Sequence, residues 1–135
     1  AIYCSDLTRA VRTAELAFGE RGIPIVGDAR LRECDYGALT RHPAADIEAR
    51  RASQIALPFP GGESYEQCVA RVSAWLADAS AAHPGRDVLV IGHRATFYAL
   101  EHLLCRLPLE HVIAASWCWR PGWTYRVSQD PVGRG

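Results

Sequence analysis

Apolar residues recur along this chain with two different periods, and the changes between them divide it into alternating strands and helices. Ile2-Tyr3-Cys4 reads as a short strand. Leu7, Ala10, Val11, Ala14 and Phe18 then repeat at i, i+3, i+4 spacing, which predicts a helix with Ser5-Asp6 as its N-cap and Gly22 beyond its end. Pro24-Ile25-Val26 reads as a second strand, whereas Leu31 to Gly37 has no period and reads as a loop. Residues 43–53 place Asp46/Arg50 and Glu48/Arg51 at helical spacing, predicting a short, solvated and mobile helix. After the break at Pro58-Phe59-Pro60-Gly61-Gly62, Ser64-x-x-Gln67 is a capping-box pattern. It opens a helix that buries Cys68, Val69, Val72, Trp75, Leu76 and Ala79 and stops by Pro84-Gly85. The apolar run Asp87 to Gly92 predicts a strand buried on both faces, and a helix from about Ala95 to Leu104 follows at once. Val112 to Trp119 and Trp123 to Val127, separated by Arg120-Pro121-Gly122, read as two more strands, with Ser128 to Gly135 as a frayed tail.

This alternation predicts a single α/β domain with a mostly parallel sheet. Ligands of such sheets bind beyond the carboxyl ends of strands, which directs attention to Cys4–Arg9 and Gly92–Thr96. Composition changes the picture only by exclusion. Of 135 residues, 49% are hydrophobic and 22% charged, as in an ordinary globular domain. Fifteen basic residues balance fifteen acidic ones, so no overall field draws the chain to nucleic acid or to an anionic membrane. No apolar run reaches the ~18–20 residues of a membrane span, and no basic-then-apolar leader opens the chain, so a cytoplasmic location is expected. The five cysteines form no CxxC pair and read as reduced, mostly buried thiols. The chain lacks methionine, and Ala1 to Cys4 already reads as a strand under way, which sets the expectation of an incomplete N-terminus.

At the first junction, Arg9 lies one helical turn past the strand end, where helix N–H groups also favour an anion. Taken alone it is equally a surface arginine, and Arg12 competes for the same role. Cys4 and Arg9 superficially match the phosphate loop of cysteine-dependent phosphatases, but that loop needs five intervening residues and glycine within it. Here there are four residues, one of them an aspartate. At the second junction His93 follows Gly92 and precedes a helix, a place where an imidazole can donate to a phosphoryl oxygen or act as base, nucleophile or metal ligand. His42, His83, His102 and His111 read as surface residues. Glu33 is by itself a solvated loop residue, although a nearby anion favours the protonated form of a carboxyl group and so suits it to general acid work. No HxxH or HExxH pattern or carboxylate cluster supports a metal at His93 and Glu33, and no metal or cofactor is expected.

Four segments in order resemble the histidine phosphatase superfamily, also called phosphoglycerate-mutase-like: Cys4-Ser-Asp-Leu-Thr-Arg9-Ala-Val-Arg-Thr13-Ala-Glu, Leu31-Arg-Glu33-Cys-Asp-Tyr-Gly37, Pro60-Gly-Gly-Glu-Ser64 and Val88-Leu-Val-Ile-Gly-His93. Trp117 to Tyr125 resembles the C-terminal hairpin of some bacterial members. The resemblance implies a three-layer α/β/α fold with a mostly parallel sheet. It also implies that Arg9 grips the transferring phosphoryl group, that His93 hydrogen-bonds it in the transition state, and that Glu33 protonates the leaving oxygen. Ser5 and Tyr36, within the same motifs, are implied to bind substrate. The chain departs from the family at one point: members carry an Arg-His-Gly motif whose histidine is the nucleophile, and none is present here. Arg41-His42-Pro43 lies after the Glu33 loop and has proline where backbone freedom is needed.

Three functions follow as expectations. The first is a phosphatase for small phosphomonoesters whose attacking histidine and first strand lie outside these residues, so that the chain alone is inactive. The second is a pseudoenzyme that binds phosphate without turnover. The third is a mutase, disfavoured by the scarcity of extra basic residues for a second anionic group. The segment Ala38 to Phe59 is expected to lie over the pocket. Oligomeric state is not legible.

Overall fold

The computed structural model describes residues 1–128. Its centre is β1 (Ile2–Cys4), which pairs in parallel with β2 (Ile25–Gly27) on one side and β3 (Leu89–Ile91) on the other. Successive side chains on a strand point to opposite faces. Cys4, Ile25 and Ile91 accordingly pack with Ala10, Val11 and Ala14 of α1 (Thr8–Phe18), while Tyr3 and Val90 turn to the other side. There they meet Val72, Trp75 and Ala79 of α3 (Tyr65–Ala82) and Ala99 and Leu100 of α4 (Arg94–Cys105). Helices on both faces of a parallel sheet make this a three-layer α/β/α fold. A separate cluster beneath the long loops gathers Phe59, Tyr65, Cys68 and Tyr98 with Leu109, Val112 and Ile113. Among the described residues no helix is long and apolar enough to cross a membrane.

The helix that opens at the capping box does so as expected: the Ser64 hydroxyl accepts from the Gln67 amide at 3.1 Å, and the Gln67 side chain accepts from the Ser64 amide at 2.8 Å. The residues 43–53 helix is α2 (Ala44–Arg50) with a further 3-10 turn at Arg51–Ser53, and none of its residues is buried. Glu48 pairs with Arg51 at 3.4 Å, while Asp46 pairs with His42 rather than Arg50.

Several expectations are corrected. The N-cap of α1 is Leu7, not Ser5-Asp6, because both polar side chains are engaged across the sheet end, Ser5 with His93 and Asp6 with Arg32. β3 is not buried on both faces: it is an edge strand among the described residues, and Leu89 is 42% exposed. Residues 112–119 and 123–127 form no strands. Pro108 instead opens α5 (Leu109–Ala114), where Leu109, Val112 and Ile113 share one helical face and all reach the core, which alternating strand positions would not allow. The aromatic residues that suggested strands pack their rings on α4: Phe97 lies 5.3 Å from Trp117 and 5.0 Å from Trp123, centroid to centroid, and Tyr125 donates to Glu101 at 2.7 Å. His83 is half-buried and hydrogen-bonds Tyr3 across 2.9 Å, and the His102 ring bonds the Leu107 carbonyl at 2.7 Å. The predicted frayed tail, apart from Ser128, lies outside the described residues.

One backbone crossing governs the loop that carries Glu33. Residues 35–38 and 59–63 exchange close hydrogen bonds, among them Glu63 N–H to Asp35 O and Ala38 N–H to Pro60 O, both 2.8 Å. A Cβ on Gly62 would stand 2.1 Å from the Asp35 carbonyl oxygen. Gly62→Ala is therefore expected to destabilise the fold by on the order of 2 kcal/mol, read as a lower urea midpoint. An unchanged midpoint would contradict so close an approach.

Candidate active site

β1 and β3 end side by side, with Cys4 opposite Ile91, and the ladder extends one step further as the Ser5 amide donates to the Ile91 carbonyl at 3.2 Å. That pairing brings the residue after β1 against the turn that opens α4. Gly92 permits the turn: a Cβ there would lie 2.5 Å from the Thr96 hydroxyl oxygen. The Thr96 hydroxyl accepts from the His93 amide and donates to the Leu31 carbonyl, each at 3.2 Å, tying the α4 terminus to the start of the Glu33 loop.

His93 is half-buried. Its Nε2 lies 2.6 Å from the hydroxyl of Ser5, a fully buried residue, and its Nδ1 faces the Arg9 guanidinium at 3.5 Å. A guanidinium only donates, so Nδ1 is the acceptor and the neutral ring carries its proton on Nε2, donating to Ser5 Oγ. Burial pushes the His93 pKa below its usual value, the Glu33 charge opposes this, and the Arg9 and Arg71 charges add to the lowering.

Glu33 stands on the same terminus. Its Oε1 accepts from two backbone amides, Cys34 at 2.9 Å and Ala95 at 3.0 Å, the second lying in the first turn of α4. A carboxyl group at a helix N-terminus is held there by the orphan N–H groups and by the dipole. The other oxygen remains available for a proton or a ligand. Behind the loop, the half-buried Arg71 of α3 forms a two-pronged ion pair with Glu63 at 2.9 and 3.0 Å. Burial alone would push the Glu63 pKa up, but hydrogen bonds from Arg71 and from the Asp35 amide hold it below the usual carboxylate value.

The structure thus assembles Arg9, Glu33, His93 and Ser5 at one strand-end cluster. Arg12 is exposed one turn further along α1. Arg32 is engaged by Asp6 through two contacts of 2.6 Å, hydrogen bonds that also lower the Asp6 pKa. Tyr36 lies edge-on to Phe59 at 5.1 Å, and burial, then the Glu33 charge, raise its pKa. The segment that contains α2 leans on α4 and the start of α3, where Glu48 bonds Arg94 and Arg51 donates to Tyr98 of α4 at 3.4 Å and to Tyr65 of α3 at 3.1 Å. A cleft beside it is lined by Glu48, Arg51, Arg94, Tyr98 and Trp117, the Arg94 guanidinium resting 4.5 Å above the Trp117 ring. The sulfurs of Cys34 and Cys68 and a Glu63 oxygen lie within 4.8 Å of one another, but Arg71 already supplies the cation in that group. Cys34 and Cys68 are buried free thiols, as is Cys4, whereas Cys105 and Cys118 are exposed.

With this geometry in hand, residues 1–120 match the profile of the Histidine phosphatase superfamily (branch 1). The chain belongs to that superfamily. The uncharacterized phosphatase PhoE of Bacillus subtilis is 33% identical over 99 residues, covering 73% of this chain and 50% of its own length. A 2,3-bisphosphoglycerate-dependent phosphoglycerate mutase of a Methylobacterium species is 34% identical over 123 residues, covering 82% and 59%. Among solved structures, Bacillus stearothermophilus YhfR superposes with a TM-score of 0.69 at 29% identity, covering 93% of this chain and 63% of that one. Mycobacterial glucosyl-3-phosphoglycerate phosphatase with inorganic phosphate gives 0.69 at 29% identity, covering 85% and 63%. The chain therefore spans between half and two thirds of the length of these histidine phosphatase relatives.

Three contributors to the site escaped the sequence reading: Thr96, the Ala95 amide and the Arg71–Glu63 pair. Glu63 stood inside the Gly-Gly-Glu-Ser motif, and Arg71 lies three positions after Cys68 and directly before Val72, an arginine at the margin of a buried helical stripe. That misplaced cation was the available signal.

Because folding lowers the affinity of His93 for a proton, the unfolded chain binds more protons between the folded pKa and the ordinary value of 6.5. Stability rises with pH through that window, is complete above it, and is lost as pH falls through the folded value. NMR titration of the His93 ring is expected to give a midpoint below 6.5. His93→Gln should flatten the rise in Tm between weakly acidic and neutral pH, and a midpoint at or above the ordinary value would contradict the role of burial.

Proposed function

We propose that this chain supplies the phosphoryl-holding and leaving-group half of a histidine phosphatase site that hydrolyses small phosphomonoesters through a phosphohistidine. The observation that carries this reading is the convergence of Arg9, His93 and Glu33 at the ends of β1 and β3, with Glu33 held on the amide of Ala95. Phosphoryl transfer spreads negative charge over the non-bridging oxygens and develops it on the leaving oxygen. Arg9 meets the first charge, joined by His93 when its ring takes a second proton on Nδ1 beside the anion, and a protonated Glu33 meets the second. The order of bond changes is direct. A histidine nitrogen bonds phosphorus as the ester P–O bond breaks and the Glu33 proton passes to the departing oxygen; water then attacks phosphorus, its proton passing to Glu33, as the P–N bond breaks to release inorganic phosphate and free the histidine.

The attacking histidine belongs, in this reading, to an Arg-His-Gly segment outside residues 1–135, since these residues contain none. A single domain with small phosphorylated substrates and no metal is the accompanying proposal. A mutase is the second reading, favoured by the mutases among the relatives and by Arg51 and Arg94 in the cleft, two cations sharing Glu48 that suit a second anionic group on the substrate.

Calorimetric titration of this chain with inorganic phosphate tests the holding role. Millimolar binding is expected, weakened by about tenfold or more in Arg9→Ala, as the loss of a charged hydrogen bond implies. No binding to the parent chain removes the basis of the proposal. In the full-length protein, a brief reaction with a labelled monoester should trap acid-labile phosphate on histidine, and transfer of the label to an acceptor alcohol rather than water would favour the mutase.

A further inference from the structure

Among the described residues, the guanidinium of Arg71 makes more side-chain hydrogen bonds than any other group. Besides the two donors spent on Glu63, it gives one N–H to the Arg30 carbonyl and one to the Arg32 carbonyl, both at 2.8 Å, and one to the Glu33 carbonyl at 3.0 Å. Those five bonds exhaust the five N–H donors an arginine possesses. Its partner acts on the far side of the same loop, because Glu63 Oε1 accepts from the Asp35 amide at 3.0 Å and the Glu63 amide donates to the Asp35 carbonyl at 2.8 Å. One ion pair therefore holds the backbone before, at and after residue 33, without touching the Glu33 carboxyl group.

We propose that Arg71 and Glu63 are positioning residues for proton donation: together they fix the 30–35 backbone so that the Glu33 carboxyl group meets the leaving oxygen. This rests on the reading of Glu33 as the general acid. The physical reason for a charged pair here is geometric. Loop carbonyls at three positions cannot be gathered by an apolar side chain, and a planar fork presents donors in fixed directions where a lysine ammonium cannot. The carboxylate neutralises the guanidinium within the pair, although the Arg71 charge still adds to the lowering of the His93 pKa. The carboxylate also keeps the arginine from turning toward the anion in place of Arg9. A shift of the loop by a fraction of an ångström would separate Glu33 Oε1 from the Ala95 amide, and with it the acid from its proton acceptor.

A purely structural pair and a positioning pair differ in what they do to different leaving groups. A 4-nitrophenolate departs without protonation, whereas an alkoxide needs the acid. In the full-length protein, Arg71→Lys and Glu63→Gln are each expected to lower kcat/KM, which reports the step that cleaves the ester, by about 10²-fold on an alkyl phosphate, while kcat/KM on 4-nitrophenyl phosphate stays within about threefold. Glu33→Gln should show the same selectivity. Hydrogen exchange on the present chain gives a readout independent of turnover: in both variants the Cys34, Asp35 and Ala95 amides should exchange faster, with the α1 amides unchanged. Equal losses on the two substrates, or unchanged exchange at those amides, overturn the proposal. If Glu33→Gln shows the selectivity and neither pair variant does, the clamp alone is wrong. If Glu33→Gln does not, Glu33 is not the acid and the clamp falls with it.

Discussion

The parallel register of β1 against β3 is the constraint on which the site depends. With Cys4 beside Ile91, Ser5, directly after β1, and His93, one residue past Gly92 at the end of β3, are brought within a hydrogen bond although they are 88 positions apart in sequence. Slipping either strand by one residue would turn its inward residue, Tyr3 on β1 or Val90 on β3, from the α3–α4 side to the α1 side, so the burial of both faces holds the register in place. The chemistry at the strand ends is thus secured by packing several residues away from it.

The second requirement is to hang a loop without regular structure over that point. Glu33 lies on such a loop, and four contacts fasten it: the Thr96 hydroxyl on the Leu31 carbonyl, the Arg71 fork on the carbonyls of residues 30, 32 and 33, the Glu63 carboxylate on the Asp35 amide, and the Ala95 amide on Glu33 itself. Backbone groups withdrawn from water need partners, and here the partners come from helices α3 and α4 and from Glu63 just ahead of α3, rather than from a neighbouring strand. A loop held this way keeps a carboxyl group close to a helix terminus while leaving one of its oxygens available.

Charge is distributed with the same economy. Asp6 takes up Arg32 and Glu63 takes up Arg71, while Glu48 is shared between Arg51 and Arg94. Arg9, at the edge of the His93 ring, forms no such ion pair among the described residues. It is the cation positioned to meet an anion, and the balanced composition of the chain conceals this because the net charge counts paired and unpaired groups alike.

Periodicity, caps and the family resemblance of four ordered motifs determined the parallel α/β class, the helices α1, α3 and α4, and the placement of Arg9, Glu33 and His93 at strand ends or in the loop between, because these depend on local spacing and on a motif order that one chain displays directly. They misjudged Ser5 and Asp6, which have the chemistry of a cap but find stronger partners across the sheet, and they misread residues 112–127, where β-branched and aromatic side chains suit a helix face and a ring cluster as well as a strand. Only the tertiary structure decided that His93 meets Ser5, that Glu33 rests on the α4 amide, and that Arg71 gathers three carbonyls from a loop about 40 residues before it. Those contacts join residues far apart in sequence, and no local pattern carries the information of which distant backbone will arrive beside a given side chain.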